Sequence, residues 1–427
     1  MTDYLVIPPA KEIRGEIDAP PSKSATNRAY VLAALSAEPV EILRPLESED
    51  TVALERCLRA MGARIVRGGE GIRIGGPLAG APGSEVVLDA GESGTAARFL
   101  TALAAVTPGR FLVTGSARLR ERPMGDLVRA LQALGASIEF RGEKESLPIS
   151  IAGGKIFSRR VTVDASLSSQ FLSALLLAGA ALEGGLEVDV TGPIASAPYV
   201  AMTMETLRAF GHDAREGPPF RVSRGAARVS RYEVSGDYSS AIALLAAAGA
   251  AGGAVVVRRL RWPAADADAR ALPVLEDMGL KIAASNGSVS AARDGALSPV
   301  TVRATDFPDA VPALAALAAL AEGESRFEGI GHLRLKESDR IAALESLVTA
   351  AGGQARSERD TLVIGGPLPA GDSSPRRLPT SNDHRIAMAA ALLSLARPGF
   401  LIENPGCVAK SYPDFFRDLE SLVMRSR

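Results

Sequence analysis

A period of roughly 70 residues constrains this chain more than any other property of its sequence. A polar cluster running straight into an Ala/Leu-rich stretch occurs six times. The copies are SKSATNRAYVLAALS (22–36), ESGTAARFLTALAAV (92–106), SSQFLSALLLAGAAL (168–182), GDYSSAIALLAAAGA (236–250), FPDAVPALAALAALA (307–321) and NDHRIAMAAALLSLA (382–396). The markers Ser24, Thr95, Ser169, Ser239, Asp309 and His384 stand 71, 74, 70, 70 and 75 positions apart. Between these copies lies a second unit, an amphipathic helix ending at Gly and followed by a strand. It reads LRAMGARI (58–65), LQALGASI (131–138), LRAFGHDA (207–214) and LEDMGLKI (275–282), and more loosely LESLVTAAGGQA (344–355). Leu or Met three residues apart gives a buried stripe, and Gly supplies the left-handed residue that ends a helix. Short β-branched runs such as EVVL, FLVTG and VTVDA fill the gaps as strands. Each period therefore reads β-α-β-α-β-β, with six copies.

A chain of 427 residues exceeds one ordinary core, so two domains are expected. Apolar residues make up 47% and charged residues 23%, as in a globular protein rather than a disordered one. The net charge of -1 provides no global field for nucleic acid, so any anion site must come from local clusters of Lys and Arg. The two cysteines, Cys57 and Cys407, lie in no ligand spacing, which argues against a disulfide framework or a structural metal. The opening MTDYLVIPPAKEIRGEI has no basic segment followed by an apolar one, so no secretory leader is expected. The apolar stretches near 241–251 and 310–321 are too short for a bilayer. A cytoplasmic protein without membrane association is the expectation.

Helices of the first unit are apolar around most of their circumference and belong inside a domain. A buried helix still has free N–H groups and partial positive charge at its start, where the polar cluster falls each time. Six such ends make a focused anion site in a nearly neutral protein. Lys23, Ser24 and Arg28 accompany the first end, Gly94, Thr95 and Arg98 the second, and Ser168, Ser169 and Gln170 the third; His384 and Arg385 open the sixth. RLRERP (118–123), LRLKESDR (333–340) and CVAK (407–410) add cations, and arginine forks suit carboxylate and phosphate. Asp309, after Pro308, is placed to cap its helix.

The pieces PPSKSATNRAYVLAALS, SGTAARF, RERPMGDLVRAL, SLSSQFLSALLLA, FPDAVPALAALA, LKESDRI, NDHRIAMA and CVAKSYPDFF resemble the EPSP synthase family. They stand in that family's order from about residue 20 to 417. The resemblance implies an α/β (α+β) fold, the two-domain inside-out α/β barrel of the enolpyruvyl transferases, with six βαβαββ repeats, three per domain. It implies a discontinuous domain of residues 1–20 and 231–427, an inserted domain of 21–230, and a site in the cleft between them. The implied reaction moves the enolpyruvyl group of phosphoenolpyruvate to the 5-hydroxyl of shikimate 3-phosphate, on the route to chorismate and the aromatic amino acids.

Roles follow for matching positions. Lys23, Ser24, Arg28, Ser168, Ser169, Gln170, Ser196, Asp309 and Lys336 look like shikimate 3-phosphate ligands. Lys23, Gly94, Arg122, Gln170, Arg340, Arg385 and Lys410 look like phosphoenolpyruvate ligands, with His384 as a further contact. Asp309 resembles the family's proton acceptor, Glu337 its partner in proton transfer, and Lys23 a third catalytic group. No cofactor or metal is implied. Glyphosate is the implied inhibitor and a monomer the expected state. The resemblance departs at Pro21, at Phe99 and at His332, where some members carry an Asn ligand. The enolpyruvyl transferase of cell-wall synthesis carries a reactive Cys that GSARLRERP (115–123) lacks, and a basic excess suited to an RNA 3'-phosphate cyclase is missing. A repeat scaffold that binds a protein partner would need no Asp309.

Overall fold

The computed structural model describes all residues except 1–2, 82, 143, 224–228, 263–265, 286, 370–373 and 424–427. The chain divides into two compact units. One is discontinuous, Met1–Pro20 with Ser235–Arg427, and the other is the inserted stretch Pro21–Val234.

Each unit is built by the same local logic. In the inserted unit, strand Glu85–Asp89 leads into helix Gly94–Val106, then strand Gly109–Thr114, helix Gly125–Ala133 and strands Ser137–Phe140 and Ile149–Gly153. The first two strands are parallel, because a buried helix carries the chain across; the later pairings are antiparallel. Strands Arg160–Asp164, Leu186–Thr191, Phe220–Val222 and Ala214–Arg215 form the same sheet order around helices Ser169–Gly179 and Pro198–Ala209. The remaining copy, with helices Lys23–Leu35 and Glu49–Ala60, borrows its first strand from the far end of the unit. There Arg231–Glu233 runs parallel to Val40–Leu43. Residues 231–234 therefore belong to the inserted unit, four residues beyond the boundary expected from sequence. Three hydrogen-bonded strand positions hold them there.

The discontinuous unit opens in the same way. Strand Ile13–Asp18 pairs parallel with Gly253–Leu260 and so starts a repeat that continues some 220 residues later, after the inserted unit. The next copy, Thr301–Arg303 to Leu362–Gly366, is complete. The last is truncated. Strands Arg376–Leu378 and Phe400–Glu403 gain only Tyr4–Leu5 as an antiparallel third strand. Asn404 then turns left-handed at φ 42° into the short 3-10 turn Pro405–Lys410, where the other copies have their second helix.

At the centre of each unit three helices touch one another: Lys23–Leu35, Gly94–Val106 and Ser169–Gly179 in one, Tyr238–Ala251, Val311–Ala318 and His384–Ala396 in the other. They are Ala-rich because each is packed on every side; every residue of Tyr238–Ala251 is buried. The outer helices end as the repeat predicts. Gly62, Gly135, Gly211, Gly279 and Gly352 all take φ between 84° and 104°, a conformation that a Cβ would strain. No helix among the described residues is long and apolar enough to cross a membrane.

Candidate active site

The three central helices of the inserted unit begin with neutral caps. Ser22, Ser93 and Ser168 accept the N–H groups of Ala25, Ala96 and Gln170. No carboxylate lies in these first turns, so the helix ends keep their partial positive charge. Lys23 stands at the first helical position and its Nζ lies 3.0 Å from Asp50 Oδ2, on the neighbouring helix. Ser24 follows it, and its carbonyl accepts from Arg28 Nη1. Arg28 is more deeply placed than a surface ligand. Its Nε donates to Thr203, its Nη2 to the Tyr199 carbonyl, and its guanidinium covers the Phe99 ring. Arg28 thus orders the start of the helix as well as adding charge.

Gly94 opens the second helix. A Cβ there would overlap the guanidinium of Arg122 and stand 2.6 Å from Arg98 Nη1. Arg98 Nη1 donates to the Gly94 carbonyl and Nη2 to that of Pro123, which ties the Arg122 loop to the helix start. Gln170 Nε2 donates to Thr95 Oγ1 and joins the third helix to the second, while its Oε1 is buried with no hydrogen-bond partner. Ser169 is buried beside it. Ser196 holds φ at 56°, an unusual conformation for a residue with a Cβ, just before helix Pro198–Ala209.

The discontinuous unit is arranged with the opposite sign at its helix starts. Asp237 and Asp383 cap helices Tyr238–Ala251 and His384–Ala396. Their carboxylates offset the positive helix ends, so in this unit anion attraction falls to side chains instead of dipoles. Asp383 Oδ2 also accepts from Arg340 Nε at 2.9 Å, and Asp237 Oδ2 lies 3.5 Å from Arg385 Nη2. Arg340, only 1% exposed, reaches Asp309 Oδ1 with Nη1 at 2.6 Å and Glu337 Oε2 with Nη2 at 3.0 Å. Lys336 Nζ is 3.5 Å from the same Asp309 oxygen. Asp309 is not the cap of its helix, as the sequence suggested. The cap position is Ala310, and the Asp309 side chain turns to the cations.

Burial works against ionisation of Asp309, but Lys336, Arg340 and Arg385 overcome it and hold the carboxyl well below its ordinary range. Arg385 keeps its charge although buried, because Asp237 and Asp309 outweigh the cost of burial. His384 is buried with Nδ1 3.6 Å from Asp383 Oδ1. Lys410 is buried at the end of the turn Pro405–Lys410. His332, in the turn Gly331–Leu335, has a buried Nε2 without a hydrogen-bond partner. Burial, with the charges of Lys336 and Arg340, pushes its pKa down to about 4. At neutral pH it is an uncharged imidazole. Among the described residues no group of three or more His, Cys, Asp or Glu is arranged to hold a metal ion.

A family model for EPSP synthase (3-phosphoshikimate 1-carboxyvinyltransferase) matches residues 7–419. The chain belongs to the EPSP synthase family. A 3-phosphoshikimate 1-carboxyvinyltransferase from Thermococcus kodakarensis is 43% identical over 98% of this chain and 100% of its own length. One from Methanopyrus kandleri is 38% identical, with 96% of each covered. The solved EPSP synthase of Acinetobacter baumannii superposes with a TM-score of 0.81 at 28% identity, covering 99% of this chain and 98% of that one. The enolpyruvyl transferase NikO of Streptomyces tendae shares the fold, with a TM-score of 0.76 at 21% identity.

In this EPSP synthase family member each unit gathers its own share of the expected residues. Lys23, Ser24, Arg28, Gly94, Arg122, Ser168, Ser169, Gln170 and Ser196 lie in the inserted unit, and Asp309, Lys336, Glu337, Arg340, His384, Arg385 and Lys410 in the other. Sequence reasoning missed the acidic partners Asp50, Asp237 and Asp383. The last two were visible in GDYSS and NDHR as capping residues directly before a helix, but their arginine partners lie 148 and 43 positions away, respectively.

Proposed function

We propose that this chain is an enzyme transferring the enolpyruvyl group of phosphoenolpyruvate to the 5-hydroxyl of shikimate 3-phosphate. The residues of the two units are proposed to serve one substrate pair. Each substrate carries a phosphate and a carboxylate, and Lys23, Arg122, Lys336, Arg340, Arg385 and Lys410 supply the opposing charge.

The observation that carries this reading is the Asp309 carboxylate, kept ionised by Lys336 and Arg340 and thus ready to accept a proton. A carboxylate gripped by cations is a weak base by itself. Arrival of two multiply charged anions occupies those cations and raises its proton affinity. The 5-hydroxyl then gives its proton to Asp309 while its oxygen bonds to C2 of phosphoenolpyruvate. C3 gains a proton, Glu337 and Lys23 being the groups proposed to move it, and a tetrahedral adduct results. Loss of a C3 proton restores the double bond as the C2–O bond to phosphate breaks. Glyphosate is proposed to compete with phosphoenolpyruvate at the Gly94–Arg122 cations. A cytoplasmic location fits two cysteines that are both free thiols.

Phosphate release, with each substrate omitted in turn, is the test. Release should require both substrates, and Asp309→Ala should lose about 100-fold or more in kcat with its unfolding transition intact. Release equal to a no-enzyme blank removes the reading.

A further inference from the structure

The helix starts of the discontinuous unit are joined in a closed ring. Asp237 caps Tyr238–Ala251 and faces Arg385, which stands in the first turn of His384–Ala396. Asp383 caps that helix and binds Arg340, and Arg340 binds Asp309. One residue closes the circuit. Asp268 Oδ1 accepts the N–H of Ala310 at 3.0 Å, and its Oδ2 accepts the hydroxyl of Ser239, in the first turn of Tyr238–Ala251, at 2.5 Å.

Asp268 is wholly buried and lies on the short turn Ala267–Ala271, where Asp266 fixes it by accepting its N–H at 3.0 Å. Arg385 offsets part of the charge of this buried carboxylate, and its two oxygens accept from a backbone N–H and a hydroxyl. The Ala310 N–H belongs to the peptide plane that leaves Asp309. Fixing that plane fixes the direction from which the Asp309 side chain departs. The helix Val311–Ala318 lacks a side-chain cap of its own, so Asp268 supplies from a distance the acceptor its first turn needs.

We propose that Asp268 is a positioning residue for Asp309, holding the proton acceptor in its reactive place through the Ala310 N–H. The inference rests on the reading that Asp309 takes the proton in the transfer reaction. It assigns Asp268 no contact with substrate. The cost of its loss is a misplaced base, which appears in kcat more than in binding; Arg385, whose charge Asp268 also faces, stays held by Asp237. Burial and the neighbouring charge of Asp309 push the Asp268 pKa up to about 6, so the effect of its hydrogen bonds has to be told apart from that of its charge. Asparagine makes that separation: its carbonyl can accept from Ala310 and its amide can donate to Ser239, without the charge.

The experiment measures kcat, both KM values and thermal unfolding for Asp268→Ala, Asp268→Asn and Asp309→Ala. Displacement of a reacting group by about 1 Å costs up to about 100-fold, so Asp268→Ala should lose at least about tenfold in kcat with both KM values within about threefold. Asp268→Asn should recover kcat to within about threefold of the unaltered enzyme. If the alanine variant does not fold, Asp268→Ser replaces it; its hydroxyl is one bond short of both Ala310 and Ser239. Unchanged kcat in a folded Asp268→Ala or Asp268→Ser protein, or an asparagine variant as slow as either, overturns the proposal. Full activity in Asp309→Ala would instead sink the site assignment beneath it, so the two failures are told apart.

Discussion

The guanidinium of Arg122 lies directly against the Cα of Gly94, with no room for a methyl group between them. The contact works because the helix begins with a residue that has no side chain, which lets a cation approach the helix's positive end. Arg98, bonded to the Gly94 and Pro123 carbonyls, ties the Arg122 loop to that helix start. A Cβ at this position would push both guanidinium groups away. We therefore expect Gly94→Ala to raise the KM for phosphoenolpyruvate by about tenfold, the effect of about 1.4 kcal/mol lost from charge-assisted bonds. Glyphosate inhibition should weaken at least as much, while the KM for shikimate 3-phosphate stays near its original value. Steady-state kinetics with each substrate varied decides this; an unaltered phosphoenolpyruvate KM would contradict it.

Asp383 does two things at once, capping a buried helix and holding Arg340. Removing it leaves an orphaned N–H and a buried guanidinium short of one partner. A lost cap costs about 1 kcal/mol, and a broken buried pair about 3–5 kcal/mol. Arg340 retains Asp309 and Glu337, which places the expected total for Asp383→Ala near the lower end, about 3 kcal/mol. Asp383→Asn keeps the cap acceptor and should lose less. Urea unfolding of both variants against the parent reads the difference: equal midpoints for the two would show that the cap contributes nothing, and an asparagine variant as stable as the parent would show the same of the ion pair.

Much of this architecture could be read from the chain before any coordinates. The Gly-terminated helices appeared where LRAMG, LQALG, LRAFG and LEDMG placed them, since a left-handed glycine is a local requirement. The Ala/Leu stretches became central helices for the same local reason. What could not be read was long-range pairing. Ile13–Asp18 and Arg231–Glu233 each complete a sheet whose other strands lie elsewhere in sequence, and no local pattern reveals a parallel partner. The sign of the helix starts was half visible. Sequence gave equal weight to six positive ends, whereas Asp237 and Asp383 offset two of them. For Asp309, proximity to Pro308 suggested a cap, but ion pairing with Arg340, 31 positions away, decided its direction.

Ser196 separates strain from ligand contact. Its left-handed φ of 56° costs a residue with a Cβ about 1 kcal/mol, and glycine relieves that while adding a similar loss of backbone freedom on folding. Ser196→Gly should therefore unfold within about 3 °C of the parent protein. If the hydroxyl serves shikimate 3-phosphate, the KM for that substrate should rise several-fold. A stable variant with unchanged KM would reduce Ser196 to a backbone device.

His332 supplies the pH dependence. Its pKa falls from 6.5 to about 4 on folding, because burial and the charges of Lys336 and Arg340 oppose the imidazolium. A histidine depressed in this way is neutral in the folded protein but protonated in the unfolded chain between those two values. The unfolded state binds more protons there, so stability falls as pH drops through that window and levels off below it. At pH above about 6.5 the histidine adds no such penalty. The size of the effect is up to about 3 kcal/mol by the lower end, from about 1.4 kcal/mol for each pKa unit. His332→Asn removes the titrating group and keeps a neutral side chain able to make hydrogen bonds. Denaturant unfolding of both proteins from pH 7.5 to pH 4.5 should therefore show the histidine form losing stability relative to the asparagine form, by about 2 kcal/mol or more at the acid end. Parallel curves across that range would mean that His332 is as accessible to protons in the folded protein as in the unfolded chain, and its burial beside Lys336 would then carry no electrostatic consequence.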